Sequence, residues 1–204
     1  MSEKADKADG AADESSRFGA EPASLGLFGL AVAALVLAST DLGFASATAK
    51  SLMIPWTVCL GATAQLIAGI IDFKRKNVFG GTVFTTFSLL WYSVSLTLFI
   101  TIFGGAPFDM THYAYGLIGF LVFGIIMTVA STMTNLTFVT ILVFIDLALV
   151  TLVPHVLIGT PAFIVGIFLV CVSVSSFYGA AAVLINTMAG RTVLPLGRKL
   201  WKPP

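Results

Sequence analysis

The chain has 204 residues, of which 57% are hydrophobic and only 10% are charged, and its formal net charge is +1. Its mean hydropathy is +0.99. Soluble domains carry roughly a quarter charged residues, so this composition excludes a water-soluble globular protein. The charge pattern also shows no footprint of nucleic-acid binding, and we expect no nucleic-acid partner. The composition predicts an all-α membrane protein whose surroundings are the lipid bilayer.

Six apolar segments are long enough to cross a bilayer as helices, which takes about 20 residues each. In chain order they are residues 25–44, 54–73, 79–103, 113–130, 135–153 and 160–188. Glycines, prolines and short polar runs separate them, as expected for turns. Between residues 77 and 190 the chain contains only two charged residues, Asp109 and Asp146. The sequence therefore predicts six transmembrane helices.

The basic residues predict which side of the membrane each end faces. With six spans, one face holds Lys4, Lys7, Arg17, Lys74, Arg75, Lys76, Arg191, Arg198, Lys199 and Lys202, and the other holds only Lys50. Basic residues accumulate on the cytoplasmic side of membrane proteins, so both termini are expected there. We divide the chain into a disordered tail (1–20), a six-helix transmembrane domain (21–190) and a short basic tail (191–204).

The first and fourth predicted helices begin with similar sequences. Residues 26–30 read GLFGL and residues 116–120 read GLIGF, and both helices close on Ala-Ser-Thr. Segments three helices apart cross the membrane in opposite directions, so the similarity indicates an inverted three-helix repeat, which is typical of transporters. The alternative is that Gly, Leu and Ala recur in membrane helices through composition alone.

The start of the first helix is a candidate anion site. Pro22 suits a first helical turn, and the small residues Ala23, Ser24 and Gly26 keep that turn thin. Free backbone N–H groups and the positive end of the helix dipole favour an anion such as a carboxylate. The alternative is a helix start whose small residues serve packing.

Two polar residues lie within predicted spans. Gln65, in the second helix, is expected either to bridge to a neighbouring helix or to line a watery pore. Asp146, in the fifth, marks a pathway, a proton site or a buried pair. The structural alternative for Asp146 is a protonated carboxyl that is hydrogen-bonded to a Thr or Ser, of which Thr140 and Thr151 are nearby in the sequence. Enzyme motifs such as HExxH, GxSxG and the Walker loop are absent from the sequence, and we expect no enzyme, no cofactor and no metal.

Several segments, taken together and in order, resemble the acetate uptake transporter family, which includes succinate–acetate permeases. They are residues 22–27 (PASLGL), similar to the family signature N-P-A-P-L-G-L, 61–69 (GATAQLIAG), 73–80 (FKRKNVFG), 176–178 (SFY) with 180–182 (AAA), and 190–197 (GRTVLPLG). Glu21 and Ser24 depart from that signature, which has Asn and a second Pro there. The resemblance covers nearly the whole chain.

The resemblance implies a homo-hexamer of six-helix protomers, each carrying acetate and related short carboxylates. It implies carboxylate recognition by Pro22, Ala23, Leu25, Gly26 and Leu27. It also implies an apolar constriction, which in this chain would consist of Leu30, Phe87 and Val143. Such a ring dewets and blocks ion leak.

We therefore expect a multi-pass transporter of the inner or plasma membrane that moves acetate with a proton. Ser24 and Gln65 would help to bind the substrate, and Asp146 would carry the proton, one helical turn from Val143. One alternative is a passive channel for the same anions. Another is a protein that exports or senses ammonium with the same fold.

Overall fold

The structure is a computed structural model that describes residues 19–201 except 106 and 108. Within these residues it is a bundle of helices with no strand. Most of the predicted disordered tail, residues 1–18, lies outside the described part of the chain.

Six helices are long and apolar enough to cross a membrane, as predicted. They are α1 (Ala23–Asp41), α2 (Met53–Trp56, Thr57–Ala64 and Gln65–Lys74 in direct succession), α3 (Val78–Phe103), α4 (Thr111–Ser131), α5 (Leu136–Ile158) and α6 (Ala162–Ala189). A 3₁₀ turn, Ala47–Leu52, leads into α2. The middle part of α2 is a π-helix, a wide form that is rare and is often found at functional sites.

Two helix ends differ from prediction. The first helix was expected to reach residue 44 but ends at Asp41, because the chain turns at Gly43, which has a positive φ of 79°. The fifth was expected to stop before Pro154 but runs through it to Ile158 and ends at Gly159, whose φ is 70°. A proline removes a single backbone donor, which a packed membrane helix tolerates.

Helix α1 is the centre of the bundle and packs most extensively on α6 and then on α2. Its small residues Ala31, Ala33 and Ala34 are completely buried. At Gly29 an added Cβ would collide with the backbone carbonyl oxygen of Leu60 in the π-helical part of α2. On the other side, Ser173 Oγ of α6 donates to the Ala31 carbonyl at 2.8 Å. Small residues thus let three helix backbones approach closely.

The proposed repeat is not mirrored in the packing of its glycines. Gly26 and Gly29 of α1 lie against α2 and α3, whereas Gly116 and Gly119 of α4 have open space where a Cβ would stand. The inverted repeat stays a prediction.

One end of the bundle, which we call the basic end, holds the start of α1, the α2–α3 turn and the end of α6. Residues 191–201 fold back across it, and we call them the 191–201 segment. Asn186 Oδ1 accepts from the backbone N–H groups of Val193 and Leu194. The N–H and the hydroxyl of Thr137, in the first turn of α5, both donate to the Leu196 carbonyl. The segment therefore joins the end of α6 to the start of α5.

Candidate functional site

A polar vestibule of about 370 Å³ opens at the basic end, between α1, α2, α3, α5 and α6. Ala23 of α1 and Leu196 of the 191–201 segment form part of its wall. Three aromatic rings lie at its inner side. Phe138 contacts Phe79 and Phe84 edge to face, at centroid distances of 5.6 and 6.5 Å. The lining of the vestibule thus combines polar side chains with three aromatic rings.

Glu21 belongs to the vestibule wall but is already paired. Arg75 Nη2 donates to Glu21 Oε2 at 2.8 Å, and Arg75 Nη1 donates to the Gly19 carbonyl. The other carboxylate oxygen of Glu21 accepts from the backbone N–H of Ala23 at 3.4 Å. Glu21 therefore occupies part of the α1 N-terminus itself, which the sequence predicted to be open to a substrate carboxylate.

The other residues at the start of α1 point to different surroundings. Pro22, Gly26 and Leu27 are buried, and Ser24 is half-buried. Leu25 is 41% exposed on the outside of the helix. The structure does not gather these side chains at one point.

Asp72, near the end of α2, is a vestibule residue that sequence reasoning missed. Its side chain is 0% exposed, yet it belongs to the wall of the vestibule. Asn77 Nδ2 donates to Asp72 Oδ1 at 3.1 Å, while Oδ2 has no hydrogen-bond partner among the described residues. Oδ2 occupies the space beside Gly80, where a Cβ would collide with it. In the sequence Asp72 stands beside Lys74, Arg75 and Lys76, and these basic residues were interpreted only as a topology signal.

Gln65 is completely buried, and neither its Oε1 nor its Nε2 has a partner in the described part of the chain. The contacts of Gly61 with Trp91 and of Gly69 with Thr85 fix the register of α2 against α3. This register places Gln65 at the level of Ser88, whose buried hydroxyl likewise has no partner among residues 19–201 as far as the structure describes them. Gln65 belongs neither to the vestibule wall nor to the cavity described next.

An apolar cavity of about 60 Å³ lies deeper in the bundle. Helices α1, α3, α4, α5 and α6 surround it, and Leu30 and Phe87 are both in its wall. Phe87 packs against Phe120 and Phe123 of α4 at centroid distances of 5.0 and 5.8 Å. Along α3 the cavity follows the vestibule by one helical turn, because Phe84 belongs to the vestibule and Phe87 to the cavity.

The third member of the predicted constriction is not in this cavity. Val143 is 39% exposed on the outside of α5, whereas Ile145 is 7% exposed and lies in the cavity wall. Positions two apart on a helix point about 200° away from each other, so the two side chains cannot share one face. The structure brings together Leu30, Phe87 and Ile145.

Asp146 lies between α4 and α5 and not in the wall of the cavity. Thr128 Oγ1 of α4 donates to Asp146 Oδ2 at 2.6 Å, and Asp146 Oδ1 stands beside Gly124. The predicted hydrogen bond to a threonine is present, but not to the two threonines nearby in the sequence, because Thr140 and Thr151 donate to backbone carbonyls of their own helix. The actual partner comes from a neighbouring helix, which sequence spacing along α5 does not reveal.

Replacing Thr128 with valine is expected to lower the free energy of unfolding by about 1–2 kcal/mol, because Asp146 loses its interhelical donor. The measurement is a denaturant titration in mixed micelles, followed by circular dichroism. Thr140→Val is the matched control, since its hydroxyl bonds only within α5. Equal losses for the two variants would contradict a stabilising role for the Thr128–Asp146 bond.

Comparison with known proteins gives consistent matches. The model of the GPR1/FUN34/yaaH family matches residues 6–196. The succinate-acetate/proton symporter SatP of Escherichia coli (strain K12) is 29% identical over 188 residues, covering 87% of this chain and 95% of its own. Acetate permease A of Emericella nidulans is 24% identical over 203 residues, covering 90% and 68%. A solved structure of the bacterial acetate channel SatP has the same fold, with a TM-score of 0.80, 24% identity and coverage of 88% and 99%.

Proposed function

Because the chain belongs to the GPR1/FUN34/yaaH family, we propose that it is a membrane transporter for acetate and related short-chain carboxylates. Its relatives are a succinate-acetate/proton symporter and an acetate permease, which match most of the chain. These are transport proteins, and we take this chain to be a transporter and not an enzyme.

The observation that carries the proposal is the apolar cavity one helical turn beyond a polar vestibule. A carboxylate can keep its water in the vestibule, but the surface that lines the cavity is apolar. An ionised carboxylate in such surroundings is strongly disfavoured, whereas a protonated acid is tolerated. This arrangement supports transport of the carboxylate together with a proton.

The proposal assigns roles to the predicted residues. The start of α1, residues 22–27, contributes Ala23 to the vestibule wall, and Gln65 supports the path from its buried position in α2. Leu30 and Phe87 form the constriction with Ile145 in the place predicted for Val143. Asp146 stays a candidate for the proton-carrying residue, acting from the α4–α5 interface.

The proposal also includes orientation and assembly. The basic end carries Lys74, Arg75, Arg191 and Arg198, and Lys50 precedes α2 at the opposite end, so we place the basic end and both termini in the cytoplasm of a cell membrane. We further propose a homo-hexamer in which each protomer has its own pathway, since five helices of one chain enclose the cavity.

The test is uptake of labelled acetate into liposomes that contain the pure protein, with and without an inward proton gradient. A proton-coupled carrier is expected to accumulate acetate above the outside concentration only with the gradient. Asp146→Asn is expected to lose accumulation and to keep downhill exchange. If acetate instead flowed only down its own concentration gradient, at the same rate with and without the proton gradient, in both the wild-type protein and Asp146→Asn, the result would indicate a channel. Flux of methylammonium without acetate would overturn the proposal and favour ammonium export.

A further inference from the structure

The buried carboxyl of Asp72 has no role in the function described so far, yet it faces the place where substrate must enter or leave. Its Oδ1 is held by Asn77, and its Oδ2 is the buried wall oxygen without a partner in the described residues. The polar neighbours in the wall are engaged elsewhere. Thr134 and Thr187 donate to backbone carbonyls, and Asn186 holds the 191–201 segment.

Among the residues that the structure describes, the charges around Asp72 leave it without a counter-ion of its own. From the α1 side it faces Glu21, and from its own helix it faces Arg75. These two residues are paired with each other at 2.8 Å. The start of α3 contributes the neutral Asn77 and Gly80, and α5 and α6 contribute Asn135 and Asn186. Lys74 of the same helix is exposed to the surroundings.

An ionised substrate and an ionised Asp72 would repel each other in this space. A protonated carboxylic acid would instead donate its O–H to the buried Oδ2, which lacks a partner among the described residues. Hydrogen bonds between a hydroxyl donor and a carboxylate are short and about twice as strong as neutral ones. We propose that Asp72 Oδ2 is the acceptor for the acid proton of the substrate, so that the vestibule binds the carboxylic acid and rejects its anion.

Once the acid is bound, its proton can pass to Asp72. The O–H bond of the acid breaks, a new O–H bond forms on Asp72 Oδ2, and the substrate becomes a carboxylate anion that departs into water. The two carboxyl groups have similar intrinsic acidity, so the transfer is close to thermoneutral in either direction. This inference rests on the proposed function and adds to it the residue that meets the proton on the basic side of the cavity.

The role of Asp72 is tested by measuring the affinity of the purified protein for [¹³C]acetate, by NMR line broadening, over a range of pH. Wild-type protein is expected to lose affinity for total acetate by roughly tenfold per pH unit above the pKa of the acid, because only the protonated form binds. Asp72→Asn keeps an acceptor for Asn77 but cannot take a proton. Its affinity is expected to vary less than threefold per pH unit. Asp72→Glu is expected to restore the steep profile, and Asp109→Asn, which changes an exposed carboxyl outside the vestibule, to keep it.

An infrared difference spectrum of the same samples reports the proton directly. Acetate added to wild-type protein is expected to produce a protonated-carboxyl band that does not shift when the acetate is ¹³C-labelled, and Asp72→Asn is expected to lack it. If the affinity of the wild-type protein for acetate rose with pH, that result alone would overturn the inference. The inference would also be overturned if the affinity of Asp72→Asn for acetate fell with pH as steeply as that of the wild-type protein. If the wild-type protein bound acetate but transported none into liposomes, the proposed transport function would be refuted, whereas the proposed binding site would not.

Discussion

Gly29→Ala is expected to lower the free energy of unfolding by about 3 kcal/mol or more and to reduce the yield of monodisperse protein sharply. The added methyl group would collide with the Leu60 carbonyl oxygen and lie 3.1 Å from the Ala64 Cβ. A backbone carbonyl cannot rotate away as a flexible side chain can, so α1 and α2 would have to separate. That separation would reach the vestibule and the cavity, because α1 belongs to both walls.

Gly119→Ala is the control for this variant. Gly119 is also a helical glycine, but the space around its missing Cβ is open. Alanine is the better helix former, so this change is expected to leave stability unchanged or to raise it by up to about 1 kcal/mol. Thermal unfolding in detergent compares the two variants. Similar melting temperatures for both would show that the α1–α2 contact does not limit stability.

Ile145→Ala is expected to shift substrate preference toward longer carboxylates by about tenfold, measured as the ratio of butyrate to acetate flux in liposomes. Ile145 stands in the wall of a cavity of about 60 Å³, with Leu30 and Phe87. Removing its three outer carbons enlarges that space, and differences of one or two methylenes in an apolar site are discriminated on this scale. Stability is expected to fall by about 2–5 kcal/mol at the same time.

Val143→Ala is the matched control, because it shortens a side chain of the same helix only two positions away. Val143 is exposed on the outside of α5, so its truncation is expected to leave the butyrate-to-acetate ratio unchanged. A larger shift for Val143→Ala than for Ile145→Ala would support the constriction predicted from family resemblance. It would also contradict the position of the cavity in the structure.

The number of helices could be predicted because lipid leaves a chain few ways to satisfy its backbone. Every apolar segment that can span the bilayer must be a helix, so hydropathy alone counts the spans. The helix ends were less predictable. In a water-soluble protein a proline such as Pro154 would be expected to end the helix, but here α5 continues four residues beyond it.

The inward face of each helix could not be predicted, because the usual signal is missing. Apolar residues lie on every side of helix α5, so no single apolar face distinguishes Ile145 from Val143. The glycine pairs carry the same ambiguity. Gly26 and Gly29 lie in a tight contact and Gly116 and Gly119 do not, although their sequences are alike.

Asp72 and Asp146 differ in how clearly the sequence marks them. Asp146 drew attention because it is isolated within a span, yet its bond to Thr128 lies outside the cavity. Asp72 drew little because it adjoins Lys74, Arg75 and Lys76, whose charges are a topology signal. Burial decides between such residues, and burial depends on which helices meet around them, which a single sequence does not give.

The 191–201 segment has a consequence for the order in which the protein is made. All six helices precede this segment in the chain, so they emerge from the ribosome before it does. Until it emerges, Leu196 cannot reach Thr137 and the vestibule lacks part of its wall. The mouth of the transport path is therefore completed last, when the residues that follow α6 fold back onto the helices made before them.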